Sequence, residues 1–248
     1  YILDKYDGKL PVVIKAVPEG MSIPIDNVLF TIENTDPKCY WLTSYLETIL
    51  THVWSGCTVA TLSKSVKTMM EGFLAETSDR PEAIAFMLHD FGFRGVSSFQ
   101  SSATAGFGHI VNFMGTDTFS AVDAAMDYYN TVNMPAFSVP ATEHSVMTAE
   151  GRDGEMNIVG RLIDKYPVGI LAMVIDSYDW KAFIRNCGKR YRKNIEARGD
   201  ITAPDGTLIA PGKTVLRPDS GEPVSTSLEV FELLESEFGS SVNSKGYR

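Results

Sequence analysis

His89-Asp90-Phe91-Gly92-Phe93-Arg94-Gly95-Val96-Ser97-Ser98 follows a short apolar run, IAFML at 84–88, and the change of character between the two decides how the chain reads. A run of that length ending abruptly in charge, aromatic and glycine is how a buried parallel strand empties into an active-site loop. Phe91 and Phe93 flank Gly92, and Gly95 lets the backbone turn toward the serine-rich start of a helix. An arginine beside fresh helix amides suits a phosphate, which marks Arg94. An ordinary strand-to-helix turn, with Asp90 as cap and Arg94 solvated, accounts for this stretch equally well when it is taken alone. Repetition further along the chain favours the first reading.

From residue 84 onward, short apolar strands alternate with helices, the pattern of a parallel sheet with crossover connections. Strands are expected to end near Leu88, Met114, Phe137, Ile175 and Leu216, with helices at 98–112, 118–130, 142–149, 155–166, 178–187 and 223–238. Pro204-Asp205-Gly206 between β-prone residues predicts a hairpin over 200–213. Upstream, 10–33 is antiparallel in character, LPVVIKAV and VLFTIE being separated by turn residues. Asp36-Pro37 reads as an N-cap with proline at the first helical position, opening an aromatic-rich helix. A second helix is expected at 58–75, with Met69, Met70 and Phe73 in the core. The domain reading is therefore a β-rich part at 1–36, a helical connection at 37–83 and a β/α barrel domain at 84–248 that lacks its C-terminal portion.

With 248 residues, 44% of them hydrophobic, the chain can bury a large core. A formal charge of −9 argues against a general nucleic-acid or membrane surface, so a phosphate must be met by local arginines. Small molecules are the expected partners. The three cysteines, Cys39, Cys57 and Cys187, form no C-x-x-C pair and read as free thiols in near-helical core, in keeping with a reducing cytoplasm. No apolar run approaches the ~20 residues of a membrane span and no basic-then-apolar leader is seen, so a soluble, cytoplasmic protein is expected. The last residues follow a helical segment directly, and a further strand is expected beyond residue 248.

Each remaining strand end carries polar chemistry: GTDT at 115–118, SVPATEHS at 138–145, DSYD at 176–179 and RPDSG at 217–221. In a β/α barrel such ends converge, which would gather Asp117, His144, Asp176, Arg217 and Asp219 around one cleft with Phe91 and Arg94. Asp179 and Ser220 read better as helix caps. Two arginines suit phosphate, several carboxylates suit a hydroxylated sugar and a magnesium ion, and an aromatic suits a flat ring. A phosphorylated sugar meeting a planar base fits that set. No Walker loop, dinucleotide fingerprint or zinc spacing is present, and His52, His89, His109 and His144 make no ligand set. His52 and His109 are read as surface or structural residues, whereas His144, beside Glu143 in a strand-to-helix loop, is read as functional.

Taken with KAVPEG at 15–20, NVLFTIENTDPKCYWL at 27–42 and NSKGY at 243–247, these stretches resemble the type II phosphoribosyltransferase family, and within it the nicotinamide phosphoribosyltransferases. The resemblance implies an α/β fold: an incomplete β/α barrel of that kind with part of a smaller β-rich domain. By the same resemblance the chain is the middle of the enzyme, between an N-terminal segment carrying an active-site tyrosine and later glycine-rich phosphate loops. It implies transfer of phosphoribosyl from phosphoribosyl pyrophosphate to nicotinamide, stimulated by ATP as co-substrate, in a homodimer with the site at the interface. Phe91 would be one face of a clamp on the ring, Arg94 a phosphate ligand donated across the interface, Asp117 the acceptor of the carboxamide, and Ser138 part of the tunnel lining. His144 would be phosphorylated by ATP, while Asp176, Arg217 and Asp219 would hold ribose, pyrophosphate and Mg2+, the two aspartates as metal ligands. Phe93 stands where many relatives have tyrosine, and 151–156 and 200–213 depart from the vertebrate pattern, as in a microbial or viral member. Nicotinate as substrate, or a non-catalytic binding fragment of the same fold, are the alternatives.

Overall fold

In the computed structural model, which describes residues 1–248, the antiparallel expectation for the start of the chain takes the form of two strands after a short helix. Helix α1 (Ile2–Tyr6) precedes β1 (Val12–Ala16) and β2 (Phe30–Asn34), paired from Val12↔Asn34 to Ala16↔Phe30. Asp36 caps a 3-10 turn, Pro37–Cys39, by accepting from Lys38 N at 2.9 Å. The same carboxylate accepts from the Tyr1 and Tyr6 hydroxyls and from Lys5 Nζ, which ties α1 to the turn and holds Asp36 far below the usual carboxylate range. Helices α2 (Leu42–Leu50) and α3 (Val53–Thr77) follow.

Helix α3 corrects the expectation of a methionine-rich core. Ser63 is its sole buried residue, and Met69 and Phe73 are exposed, as is Cys57. The packed face is built of small residues instead, because α3 crosses α4 (Phe99–Ile110) so closely that a Cβ on Gly108 would meet Gly56 O at 2.5 Å. Between them, residues 84–88 do not form the expected strand. Pro81 opens a 3-10 helix, Pro81–Phe86, since its fixed φ suits a first helical position. The strand, β3, is only His89–Asp90. It pairs in parallel with β4 (Gly115–Thr116), which in turn bridges Phe137. Phe137 belongs to no longer strand, since Pro135 and Pro140, which lack N–H donors, bracket it. Ser98 caps α4 through Ser101 N, and α5 (Phe119–Tyr129) follows β4.

Contacts divide the chain into two units, Tyr1–Ser138 and Val139–Arg248. In the second, α6 (His144–Met147) is a single turn, and α7 (Gly151–Lys165) begins four residues before the expected 155. Gly151 and Gly154 read as loop from the sequence, yet Gly154 lies where Glu150 packs and a side chain would collide. Strand β5 (Ile170–Val174) is buried along nearly its whole length. Helix α8 (Trp180–Glu196) runs well past the expected end at 187, because Gly188 makes room for Glu237 rather than stopping the helix. The predicted hairpin is β6 (Ile201–Thr202) with β7 (Leu208–Ala210), and β8 (Lys213–Arg217) then pairs with β5 in parallel, Ile170↔Lys213 through Val174↔Arg217. Helix α9 (Pro223–Phe238) is capped by Glu222, which accepts from Ser225 N at 2.7 Å, so Ser220 is not its cap. Asp179 does cap α8.

Met147, Val159, Met173, Ile175, Phe183 and Ile184 form the centre of this unit's core, packing α7, α8 and α9 against β5. Buried Arg198 donates to the carbonyls of Tyr166, Val168 and Gly169, closing the segment that enters β5. The sheets are short and open in both units, as in an incomplete β/α barrel accompanied by a smaller β-rich region. No helix is long and apolar enough to cross a membrane.

Candidate active site

In the first unit the end of β3 is held by Asp90. Its Oδ1 accepts from Gly92 N at 2.8 Å and its Oδ2 from the Thr116 hydroxyl at 3.3 Å, while its carbonyl accepts from Asp117 N at 2.8 Å. A Cβ on Gly92 would stand 2.9 Å from Asp90 Oδ1, so the glycine lets the loop close on the carboxylate. Asp90 is thereby a structural residue. It turns the chain so that Phe91 is left half exposed, its ring 4.8 Å from that of His89.

Asp117 is the centre of this cluster. Oδ1 accepts from His89 Nε2 at 3.1 Å and from the Ser138 hydroxyl, whereas Oδ2 makes no hydrogen bond. A carboxylate only accepts, so the His89 proton sits on Nε2. Gly115 is required here, because a Cβ on it would meet His89 Nδ1 at 2.8 Å. Asp117 does not cap α5: Thr118 occupies that position, without a side-chain cap bond. Arg94, on the 3-10 turn Gly92–Gly95, is exposed and makes no ion pair.

His89 is the residue that sequence reasoning left without a role. Its register opposite Gly115 puts it beside Asp117, a pairing that no local sequence pattern announces. His109 is structural, as expected. It is buried between Ser63 Oγ (3.1 Å) and Gly115 O (3.0 Å), and burial pushes its pKa down.

In the second unit the cluster is built on Asp176, whose side chain is 5% exposed. Oδ1 accepts from His144 Nε2 at 2.9 Å, and Oδ2 accepts from Asp219 N at 3.1 Å and from the Ser220 hydroxyl. Burial acts to raise its pKa, but the donors Ser220, His144 and Asp219 N outweigh it and hold the carboxyl below the usual range. Ser220, expected as a cap, is one of those donors. His144 Nδ1 makes no hydrogen bond and the residue is near the surface, its side chain 43% exposed. Arg217, at the end of β8, reaches Asp219 Oδ1 at 2.7 Å and Thr142 O at 3.1 Å. All four residues expected at these strand ends thus belong to one network.

Magnesium prefers oxygen ligands and is usually held by one or two carboxylates together with substrate phosphates. Asp219 fits that role: it is half exposed and its Oδ2 is free of hydrogen bonds. Asp176 has both oxygens engaged by three donors and would join only by releasing one. The donor set therefore suits an ion shared with a phosphate more than one enclosed by protein alone.

In each unit, short parallel strands end in loops that carry carboxylates and a histidine, which is an α/β architecture with its polar groups at the strand ends. The chain belongs to the nicotinate phosphoribosyltransferase (NAPRTase) family, whose model matches residues 86–248. Similar proteins include the nicotinamide phosphoribosyltransferase of Xanthomonas campestris pv. campestris (strain 8004), 45% identical over 251 residues, covering 100% of this chain and 51% of the relative. That of Acinetobacter baylyi is 36% identical over 219 residues, 88% of this chain and 42% of the relative. That of Mycoplasma pneumoniae is 34% identical over 254 residues, 98% of this chain and 53% of the relative. The chain spans about half the length of the curated relatives it matches.

Proposed function

We propose that the protein carrying this chain transfers the phosphoribosyl group of phosphoribosyl pyrophosphate to nicotinamide, giving nicotinamide mononucleotide and pyrophosphate in NAD salvage. The observation that carries the reading is Asp117, a carboxylate whose Oδ2 is free while Oδ1 is anchored by His89 and Ser138. Such an oxygen accepts the N–H of a carboxamide. It repels the carboxylate of nicotinate, so nicotinamide is favoured over the acid that names the family. The names of the similar proteins support the same substrate.

In this reading the pyridine nitrogen attacks C1 of the ribose as the bond from C1 to the pyrophosphate oxygen breaks. The nitrogen has no proton to lose, so no general base is needed and the work is positioning. Phe91 stacks on the ring, Asp117 sets its rotation, and Ser138 holds Asp117 and lines the ring's surroundings. Arg217 meets the phosphates and Asp176 organises its neighbours, with Asp219 directed to ribose and metal. Magnesium, when bound by Asp219 and phosphate oxygens, supplies charge neutralisation for the leaving pyrophosphate. Asp176 becomes a second ligand if it gives up a donor.

ATP acts through His144. Its Nε2–H is held by Asp176, which leaves the Nδ1 lone pair as the nucleophile toward the terminal phosphorus of ATP, with ADP leaving. Arg94 serves as a phosphate ligand in a homodimer whose site lies at the subunit interface, which accounts for an exposed arginine with no partner of its own. The protein is cytoplasmic in this proposal.

The test is product formation by the complete protein with phosphoribosyl pyrophosphate, Mg2+ and either base. Nicotinamide mononucleotide and pyrophosphate in equal amounts are expected. Turnover of nicotinate in preference would replace the substrate, and ring binding without turnover would make this a binding fold.

A further inference from the structure

Thr142 lies two residues before His144, on the backbone that runs in parallel beside β5. The pairing there begins regularly: Ala172 N donates to Pro140 O at 2.9 Å, and Thr142 N donates to Ala172 O at 3.0 Å. One further step of a parallel ladder would send Val174 N to the Thr142 carbonyl. It goes instead to the Thr142 hydroxyl, at 2.9 Å. The carbonyl left over receives Arg217 Nη2 at 3.1 Å. Thr142 is 3% exposed, so water does not take the place of either partner. A buried N–H has to be met, and without the hydroxyl the acceptor that the parallel ladder offers Val174 N is the Thr142 carbonyl.

We propose that Thr142 is a positioning residue for Arg217: its hydroxyl substitutes for its own carbonyl in the ladder, and the freed carbonyl aims the guanidinium that meets the phosphate. The arrangement is compact because Val174 joins both sides. Its N–H donates to the Thr142 hydroxyl, and its backbone pairs with Arg217 on β8. Asp219 holds the other arm of the guanidinium at 2.7 Å, so the group is aimed from two directions. Threonine suits the position because its hydroxyl oxygen is an acceptor on a short side chain, within reach of the Val174 N–H on the neighbouring strand. Valine has the same shape without the acceptor.

The proposal rests on the reading of Arg217 as a phosphate ligand, so that residue supplies the control. Steady-state kinetics of the complete protein are compared for Thr142→Val, Thr142→Ser and Arg217→Lys, with both substrates varied. Thr142→Val is expected to raise KM for phosphoribosyl pyrophosphate roughly tenfold, the low end for a hydrogen bond to a charged group. KM for nicotinamide is expected to stay at the parent value, and Thr142→Ser to restore the phosphoribosyl pyrophosphate KM. Should Thr142→Val fail to fold, Thr142→Ala is judged by the same criteria. A parental phosphoribosyl pyrophosphate KM in Thr142→Val beside a raised one in Arg217→Lys overturns the proposal and leaves Arg217 as a ligand. Equal increases for both substrates with no rescue by serine make Thr142 merely structural, which also overturns it. An unchanged KM in Arg217→Lys removes the reading of Arg217, and the proposal with it.

Discussion

Replacing Asp117 by asparagine tests the substrate assignment with little change of shape. In the parent, His89 Nε2 and the Ser138 hydroxyl both donate to Oδ1, and Oδ2 is the oxygen left for the ligand. Those two donors select the orientation of the new amide: its oxygen faces them and its NH2 takes the place of Oδ2. An acceptor thus becomes a donor at one point in the site. The carboxamide NH2 of nicotinamide then meets another NH2, while the carboxylate of nicotinate meets a donor where it had met a negative charge. A hydrogen bond to a charged group contributes about 1.5 to 3 kcal/mol, so kcat/KM for nicotinamide should fall roughly tenfold to a hundredfold. Nicotinate should gain. Thermal stability should change little, because Asp117 does not cap α5 and the amide oxygen keeps both anchoring bonds. The assay is kcat/KM for each base in the complete protein, with Tm measured in parallel. An unchanged nicotinamide-to-nicotinate ratio would remove Asp117 from substrate recognition.

Phe91→Ala should weaken nicotinamide binding by about 1 kcal/mol beyond the area lost, and Phe91→Tyr should stay near the parent. Equal KM values in the two variants would return Phe91 to a packing role. His144→Ala should abolish phosphohistidine and the stimulation by ATP while slow ATP-independent synthesis persists, and stimulation that survives in this variant would exclude His144. Glu155 is buried on α7, where desolvation raises its pKa from 4.5 to about 7. Because the folded state holds the proton more tightly, its contribution to stability is full below pH 4.5 and is lost as pH rises through 7. Glu155→Gln should therefore flatten Tm between those values, and a Tm profile that keeps the parental slope would assign the pH dependence elsewhere.

Local chemistry is what the sequence carries most plainly. The turn and cap residues announced their positions: Asp36-Pro37 opens a helical turn, Ser98 caps α4, Asp179 caps α8, and Pro223 starts α9. Each works through atoms within a few residues, so adjacent letters suffice to read it. The strand-end residues were legible for a related reason. Arginine, histidine and clustered carboxylates directly after apolar runs are costly to bury without partners, so their presence there calls for a purpose. Identity of residue type therefore pointed to Asp117, His144, Asp176, Arg217 and Asp219 before any geometry was available.

What only the tertiary structure decided is which of these groups meet, and through which atom. Glycines at 108 and 188 resemble punctuation in one dimension but are sites of close approach in three, and α8 runs through Gly188 to Glu196 where the sequence suggested an end at 187. The large side chains of α3 look like core until α4 is seen to lie against the small ones. His89 acquires its partner through strand register, 28 residues away in sequence. Thr142 exchanges one acceptor for another through contacts with Val174 and Arg217, which lie 32 and 75 residues further along the chain. Hydrogen bonds are short and directional, so a partner so distant along the chain is specified by the packing of whole elements and by no local pattern.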